Sequence, residues 1–192
     1  MTSISKHIIV VSGLPRSGTS MMMKMLKAGG VETLINGERE ADENNPMGYY
    51  EFGPVKRIKE DASWIQKAEG KAVKVVSPLL CYLPRNKSYK VIFMKRKLSE
   101  ILTSQRKMLE RMGAEVSQDS DKELVYVFKQ HLEDIKTWLA EQPNMDVIYV
   151  NYNEVILDPW LGAQKVVTFL GGSLNVQNMV GVINKSLYRE RE

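Results

Sequence analysis

Val10-Val11-Ser12-Gly13-Leu14-Pro15-Arg16-Ser17-Gly18-Thr19-Ser20 is the stretch on which the fold turns. It is entered by the short apolar run Ile8 to Val11, rich in β-branched residues, which reads as a strand buried on both faces. It is left by Thr19 to Ala28, which has helical spacing and stops at Gly29-Gly30. A glycine-bearing turn between a buried strand and a helix has the layout of a phosphate-binding loop. The glycines let backbone N–H groups point inward, and the helix starting near Gly18 adds the positive end of its dipole. Thr19 and Ser20 can add hydroxyl donors to the same anion. A tight turn that needs glycine for geometry alone is the plainer alternative, and its placement after a buried strand counts against it.

The loop departs from the form found in nucleoside triphosphatases. That form follows its second glycine with Lys and then Ser or Thr, whereas here Gly18 is followed by Thr19 and the cation stands at Arg16. Magnesium-dependent phosphoryl transfer also wants an Asp at a strand end. The other expected strands run out into Ser77, Arg96 and Asn151. That chemistry is disfavoured, and so is a metal site, since the chain has one Cys (Cys81) and two distant His, His7 and His131.

Working outward, Val91 to Met94 and Val147 to Val150 read as further buried strands, with Val73, Val75 and Val76 suggesting a fourth. Helical spacing covers Gly53 to Ala68, Leu98 to Met112, Lys122 to Glu141 and Trp160 to Leu170. Strands alternating with helices predict an α/β fold: a P-loop type three-layer sandwich whose mostly parallel central sheet has four to five strands and helices on both faces. A length of 192 residues without repeat or linker predicts a single domain over 1–192. A polar stretch as long as 36–52 in a compact domain is functional or disordered, and its aromatic end, Pro46-Met47-Gly48-Tyr49-Tyr50-Glu51-Phe52, favours function.

The 27 Lys and Arg against 23 Asp and Glu leave a net charge of +4, too mild to argue for nucleic acid or a membrane surface. The apolar run at Ile8 is too short for a signal-peptide core or a membrane span, so a cytoplasmic protein is expected. The charge is local: residues 84–112 carry nine Lys or Arg against Glu100 and Glu110, a net of +7. Within this segment the strand from Tyr89 ends in Lys95-Arg96-Lys97. In a parallel sheet the carboxyl ends of adjacent strands share one rim, which places Arg96 beside the phosphate loop. Two anion sites on one rim predict a ligand with two separated phosphates.

On these residues the sequence resembles the sulfotransferase family, whose sulfuryl donor is 3′-phosphoadenosine 5′-phosphosulfate (PAPS). Gly13 to Ser20 is similar to the family's 5′-phosphosulfate loop, with Arg16 where members carry Lys or Arg. Arg96 followed eight residues later by Ser104 matches the family's 3′-phosphate pair. Tyr149 to Gly171, with Tyr152, Glu154, Asp158-Pro159 and Phe169-Leu170-Gly171, resembles the carboxy-terminal strand and helix of bacterial members. The resemblance implies PAPS as co-substrate with no metal, a donor site of Pro15, Arg16, Ser17, Gly18, Thr19, Ser20, Arg96 and Ser104, and Arg16 as the residue stabilising the leaving oxygen. It also implies sulfuryl transfer to a hydroxyl or amine of a small-molecule or carbohydrate acceptor.

Such transfer needs a general base, His in many members and Glu in others. His7 and His131 read as ordinary surface histidines. Residues 32–51 hold six acids against Arg39, and the resemblance points to Glu40 or Glu38, with Glu40 preferred. The Gly-rich Arg-Lys-Gly segment that covers the nucleotide in many members is missing; Arg189 and Arg191 can substitute for it, or Tyr188-Arg189 can be a frayed tail. A nucleotide-binding or sensing module without catalysis is the alternative from another class, and a P-loop small-molecule kinase is a further one.

Overall fold

The computed structural model describes residues 7–37, 42, 45, 48–114 and 120–184. Among them lie four strands, β1 (Ile8–Gly13), β2 (Ala72–Lys74), β3 (Tyr89–Lys95) and β4 (Met145–Asn151). They form one sheet in the order β2-β1-β3-β4, with every pairing parallel. The helices are α1 (Thr19–Ala28), α2 (Leu98–Arg111), α3 (Ser120–Ala140), α4 (Tyr152–Leu157), α5 (Pro159–Leu170) and α6 (Val176–Gly181). This is the expected α/β arrangement with helices on both faces. Among the described residues no helix is long and apolar enough to cross a membrane.

Strand side chains alternate between the two faces, and because every residue of β1 is buried, both faces are core. Ile9 and Val11 join Ile92 and Met94 under α1, α5 and α6, where Met22, Met25, Ala163, Val166 and Met179 are fully buried. Ile8 and Val10 join Val73, Val91 and Phe93 on the opposite face, against Ile135 and Leu139 of α3 and against Trp64. The register Val10↔Val91↔Val147 aligns these rows and brings Gly13, Met94 and Val150 to one level, which sets the carboxyl ends on a common rim.

Three local expectations are corrected. Gly53 to Ala68 is not one helix but two short 3-10 turns, Gly53–Arg57 and Ser63–Ala68. The break falls at Asp61, whose carboxylate accepts the Ser63 N–H at 2.8 Å and so offers the backbone a turn in place of a helical bond. The second strand ends at Lys74, short of Val76. The carboxy-terminal helical segment begins at Pro159 instead of Trp160, with the Asp158 side chain capping it through the Leu161 N–H, and the short α4 precedes it. The 36–52 loop is closed at its base, since Asn36 N–H donates to the Glu51 carbonyl at 3.3 Å and Gly53 N–H to the Asn36 side chain at 3.2 Å.

Candidate active site

The phosphate loop runs from the end of β1 to the first turn of α1. Gly13 has φ +140°, and a Cβ there would lie 2.6 Å from both the Met94 carbonyl oxygen and Ser17 Oγ. Gly18, the N-cap of α1, has φ +100°, and a Cβ on it would overlap the Tyr152 ring. Both positions therefore need glycine for space as well as for backbone freedom. Between them Arg16 itself takes the left-handed conformation, φ +70°. Ser17 is 1% exposed, and its hydroxyl has no hydrogen-bond partner among the described residues. A buried hydroxyl left unsatisfied at the N-terminus of α1 fits an anion's oxygen as its missing partner.

Arg16 is held at both its carbonyl and its side chain. Arg96 Nη1 donates to the Arg16 carbonyl at 3.0 Å, and Arg16 Nε donates to Ser104 Oγ at 2.9 Å. Arg96 is held from behind by Glu100, whose Oε2 accepts from Arg96 Nε at 2.8 Å and whose Oε1 accepts from Asn153 Nδ2 at 2.7 Å. Glu100 is 2% exposed, so this ion pair is buried and every carboxylate oxygen in it is used. The guanidinium also lies over the Tyr152 ring, 4.6 Å from its centroid. Helix α2 supplies Glu100 and Ser104 one turn apart on its inner face, and α4 supplies Tyr152 and Asn153.

On the opposite side of the loop sits Lys74, a lysine with a side chain only 8% exposed. Its Nζ donates to the Tyr49 carbonyl, lies 3.5 Å from Ser20 Oγ and lies 3.4 Å from Glu51 Oε1. Ser20 Oγ donates to the Tyr49 carbonyl at 3.2 Å and accepts from Asn45 Nδ2 at 3.1 Å. The aromatic end of the 36–52 loop is thus docked directly on the first turn of α1. Tyr49 is buried there, and its hydroxyl reaches both oxygens of Asp42 at 2.8 Å.

A family model of the sulfotransferase domain matches residues 6–190. The chain belongs to the sulfotransferase family. No curated protein sequence matches it. Among solved structures it is similar to the sulfotransferase domain of the olefin synthase from Synechococcus PCC 7002, at 15% identity and a TM-score of 0.55, over 94% of this chain and 80% of that one. It is also similar to the sulfotransferase domain from the curacin biosynthetic pathway, at 15% identity and a TM-score of 0.47, over 86% and 74%. The former likeness supports the fold.

Part of the expected donor set meets at Arg16. Pro15 is exposed at the loop tip, Ser17 and Thr19 are buried, and Arg96 and Ser104 reach Arg16 across the rim. Ser20 is turned toward Tyr49 and Lys74. Glu38, Glu40, Tyr188, Arg189 and Arg191 lie outside the described residues. Sequence reasoning missed Lys74 and Glu100 as site residues. The signal for the first was a lysine inside the apolar run Ala72-Val73-Lys74-Val75-Val76, and for the second an acid four residues after Arg96. His131 is not an ordinary surface histidine. It is half-buried, its Nε2 lies 2.8 Å from the fully buried Ser77 Oγ, and loss of solvation pulls its pKa below the usual histidine value.

Proposed function

We propose that this protein binds PAPS along the rim of the sheet and transfers its sulfuryl group to a hydroxyl or amine of a small-molecule or carbohydrate acceptor. The observation that carries the reading is the Arg16–Arg96–Ser104 connection, which joins two cationic centres on adjacent strand ends. Such a pair suits a nucleotide with an anion at each end of its ribose. The loop backbone and the orphaned Ser17 hydroxyl suit the 5′ end, and Arg96 with Ser104 suits the 3′-phosphate.

Sulfuryl transfer is dominated by positioning and charge stabilisation, since negative charge grows on the bridging oxygen as it leaves. In this reading Arg16 neutralises that oxygen. Its side chain is already oriented by Ser104 and its carbonyl by Arg96, so little reorganisation is needed when charge develops. The proton of the acceptor goes to a carboxylate of the 36–52 loop, for which Glu40 and Glu38 are the candidates drawn from the family resemblance.

Thermal unfolding tests the donor assignment. At a hundred times its dissociation constant a ligand adds about 2.7 kcal/mol of stability. 3′-Phosphoadenosine 5′-phosphate is expected to raise the melting temperature without added metal. Stabilisation by ATP with magnesium and none by 3′-phosphoadenosine 5′-phosphate would reject the reading.

A further inference from the structure

Among the described residues only Arg16 and Tyr50 combine a side chain with a left-handed backbone, φ +70° and φ +51°. Strain of that kind persists where surrounding structure enforces it, and it gathers at working sites. At Tyr50 its effect is geometric, because residues 49 and 51 are brought to one point. The Tyr49 carbonyl and Glu51 Oε1 both meet Lys74 Nζ, which also faces Ser20 in the first turn of α1. Two carboxylates of the 36–52 loop are described. Asp42 is committed to the loop, with both oxygens on the Tyr49 hydroxyl and one also accepting the Asn45 N–H at 2.8 Å. Glu51 is bound to cations alone, Lys74 at 3.4 Å and the exposed Lys56 at 3.4 Å, and its side chain is 22% exposed.

Resting on the sulfotransferase reading above, we propose that Glu51 is the catalytic base and that Lys74 restrains it until the donor binds. The anionic end of PAPS, seated beside Ser20, competes with Glu51 for the Lys74 ammonium. The carboxylate that loses this partner turns to the acceptor. The acceptor oxygen then attacks sulfur, the bond from sulfur to the bridging oxygen breaks with its electron pair passing to 3′-phosphoadenosine 5′-phosphate, and the acceptor's proton passes to a Glu51 oxygen. The transfer is favourable because the acceptor's proton becomes strongly acidic as the new S–O bond forms. Donor binding precedes proton transfer in this scheme, and Glu51 takes the place of Glu40 and Glu38.

The test uses the whole chain, PAPS and water as acceptor, with sulfate release followed in a single turnover and the affinity for 3′-phosphoadenosine 5′-phosphate measured by calorimetry. Glu51→Gln is expected to slow sulfate release by about 100-fold or more. Its nucleotide affinity should equal or exceed that of the wild type, since Lys74 has lost a competing anion. Glu51→Asp should fall between the two in rate. The proposal is overturned if Glu51→Gln releases sulfate at the wild-type rate, if Glu40→Gln or Glu38→Gln reproduces the loss while Glu51→Gln does not, or if a wild type that binds the nucleotide releases no sulfate. Parallel loss of nucleotide affinity in both Glu51 variants overturns it too, by assigning the residue a structural role. Failure of the wild type to bind the nucleotide would instead overturn the donor reading.

Discussion

Arg96 donates from Nη1 to the main-chain carbonyl of Arg16 at 3.0 Å, so the residue proposed for the 3′-phosphate also holds the backbone of the residue proposed for the sulfuryl group. The two proposed anion subsites are mechanically one unit. Loss of Arg96 therefore removes the proposed phosphate ligand and also frees an Arg16 backbone that sits at φ +70°.

Arg96→Ala is accordingly predicted to weaken 3′-phosphoadenosine 5′-phosphate binding by about 2 kcal/mol or more and to lower the rate of bound donor as well. Arg16→Ala should lower the rate with little change in nucleotide affinity. Titration calorimetry combined with single-turnover sulfate release separates the two effects. Arg96→Lys should rescue neither, because an ammonium cannot span the Arg16 carbonyl, Glu100 and a phosphate as the guanidinium fork does.

Glu100→Ala leaves the Arg96 guanidinium, 8% exposed, without its counter-charge, and removes the acceptor of Asn153 Nδ2. Breaking a buried pair from one side costs about 3–5 kcal/mol. A urea midpoint within error of the wild type would show that the pair contributes nothing to stability.

Gly18→Ala forces a side chain into a backbone at φ +100° and into the Tyr152 ring. Strain of this kind costs of order 1–3 kcal/mol before the overlap is counted. The variant should be destabilised in urea and should bind the nucleotide more weakly. In a Tyr152→Ala background, itself destabilised by loss of a buried ring, Gly18→Ala should cost less than in the wild type, because the overlap is gone and only the backbone strain remains.

His131 gives a pH prediction. Burial beside Ser77 lowers its pKa from the ordinary 6.5, with Asp134 opposing the shift. The unfolded chain then binds more protons than the native one between the lowered value and 6.5, so the His131 contribution to stability rises with pH through that window and is level on either side of it. His131→Gln should flatten the dependence of the urea midpoint on pH just below 6.5. An unchanged slope would remove His131 as its source.

Much of this was legible because the decisive signals are local. The strand, loop and helix from Ile8 to Ala28 declare themselves by composition and glycine placement, Arg96 by its position at the end of an apolar run, and Ser104 only through the family resemblance. The contacts that tie them together are not local. Tyr152 meets Gly18 and Arg96 only after the chain has crossed the sheet, and nothing in the sequence near residue 18 announces a ring there. Gly53 to Ala68 misled because its apolar residues have helical spacing, while Asp61 decides the local hydrogen bonding. Lys74 was hidden by its surroundings: in an apolar strand a single lysine reads as an edge feature until its partners Tyr49 and Glu51, from a distant loop, are seen beside it.

The central claim is that the rim reads two separated anions through one linked pair of arginines. Calorimetry with 3′-phosphoadenosine 5′-phosphate and with adenosine 5′-phosphate, on the wild type and on Arg96→Ala, tests it most directly. The account predicts that the wild type prefers the doubly phosphorylated nucleotide by at least about tenfold, or about 1.4 kcal/mol, and that Arg96→Ala abolishes the preference. Equal affinity of the wild type for the two nucleotides would contradict it.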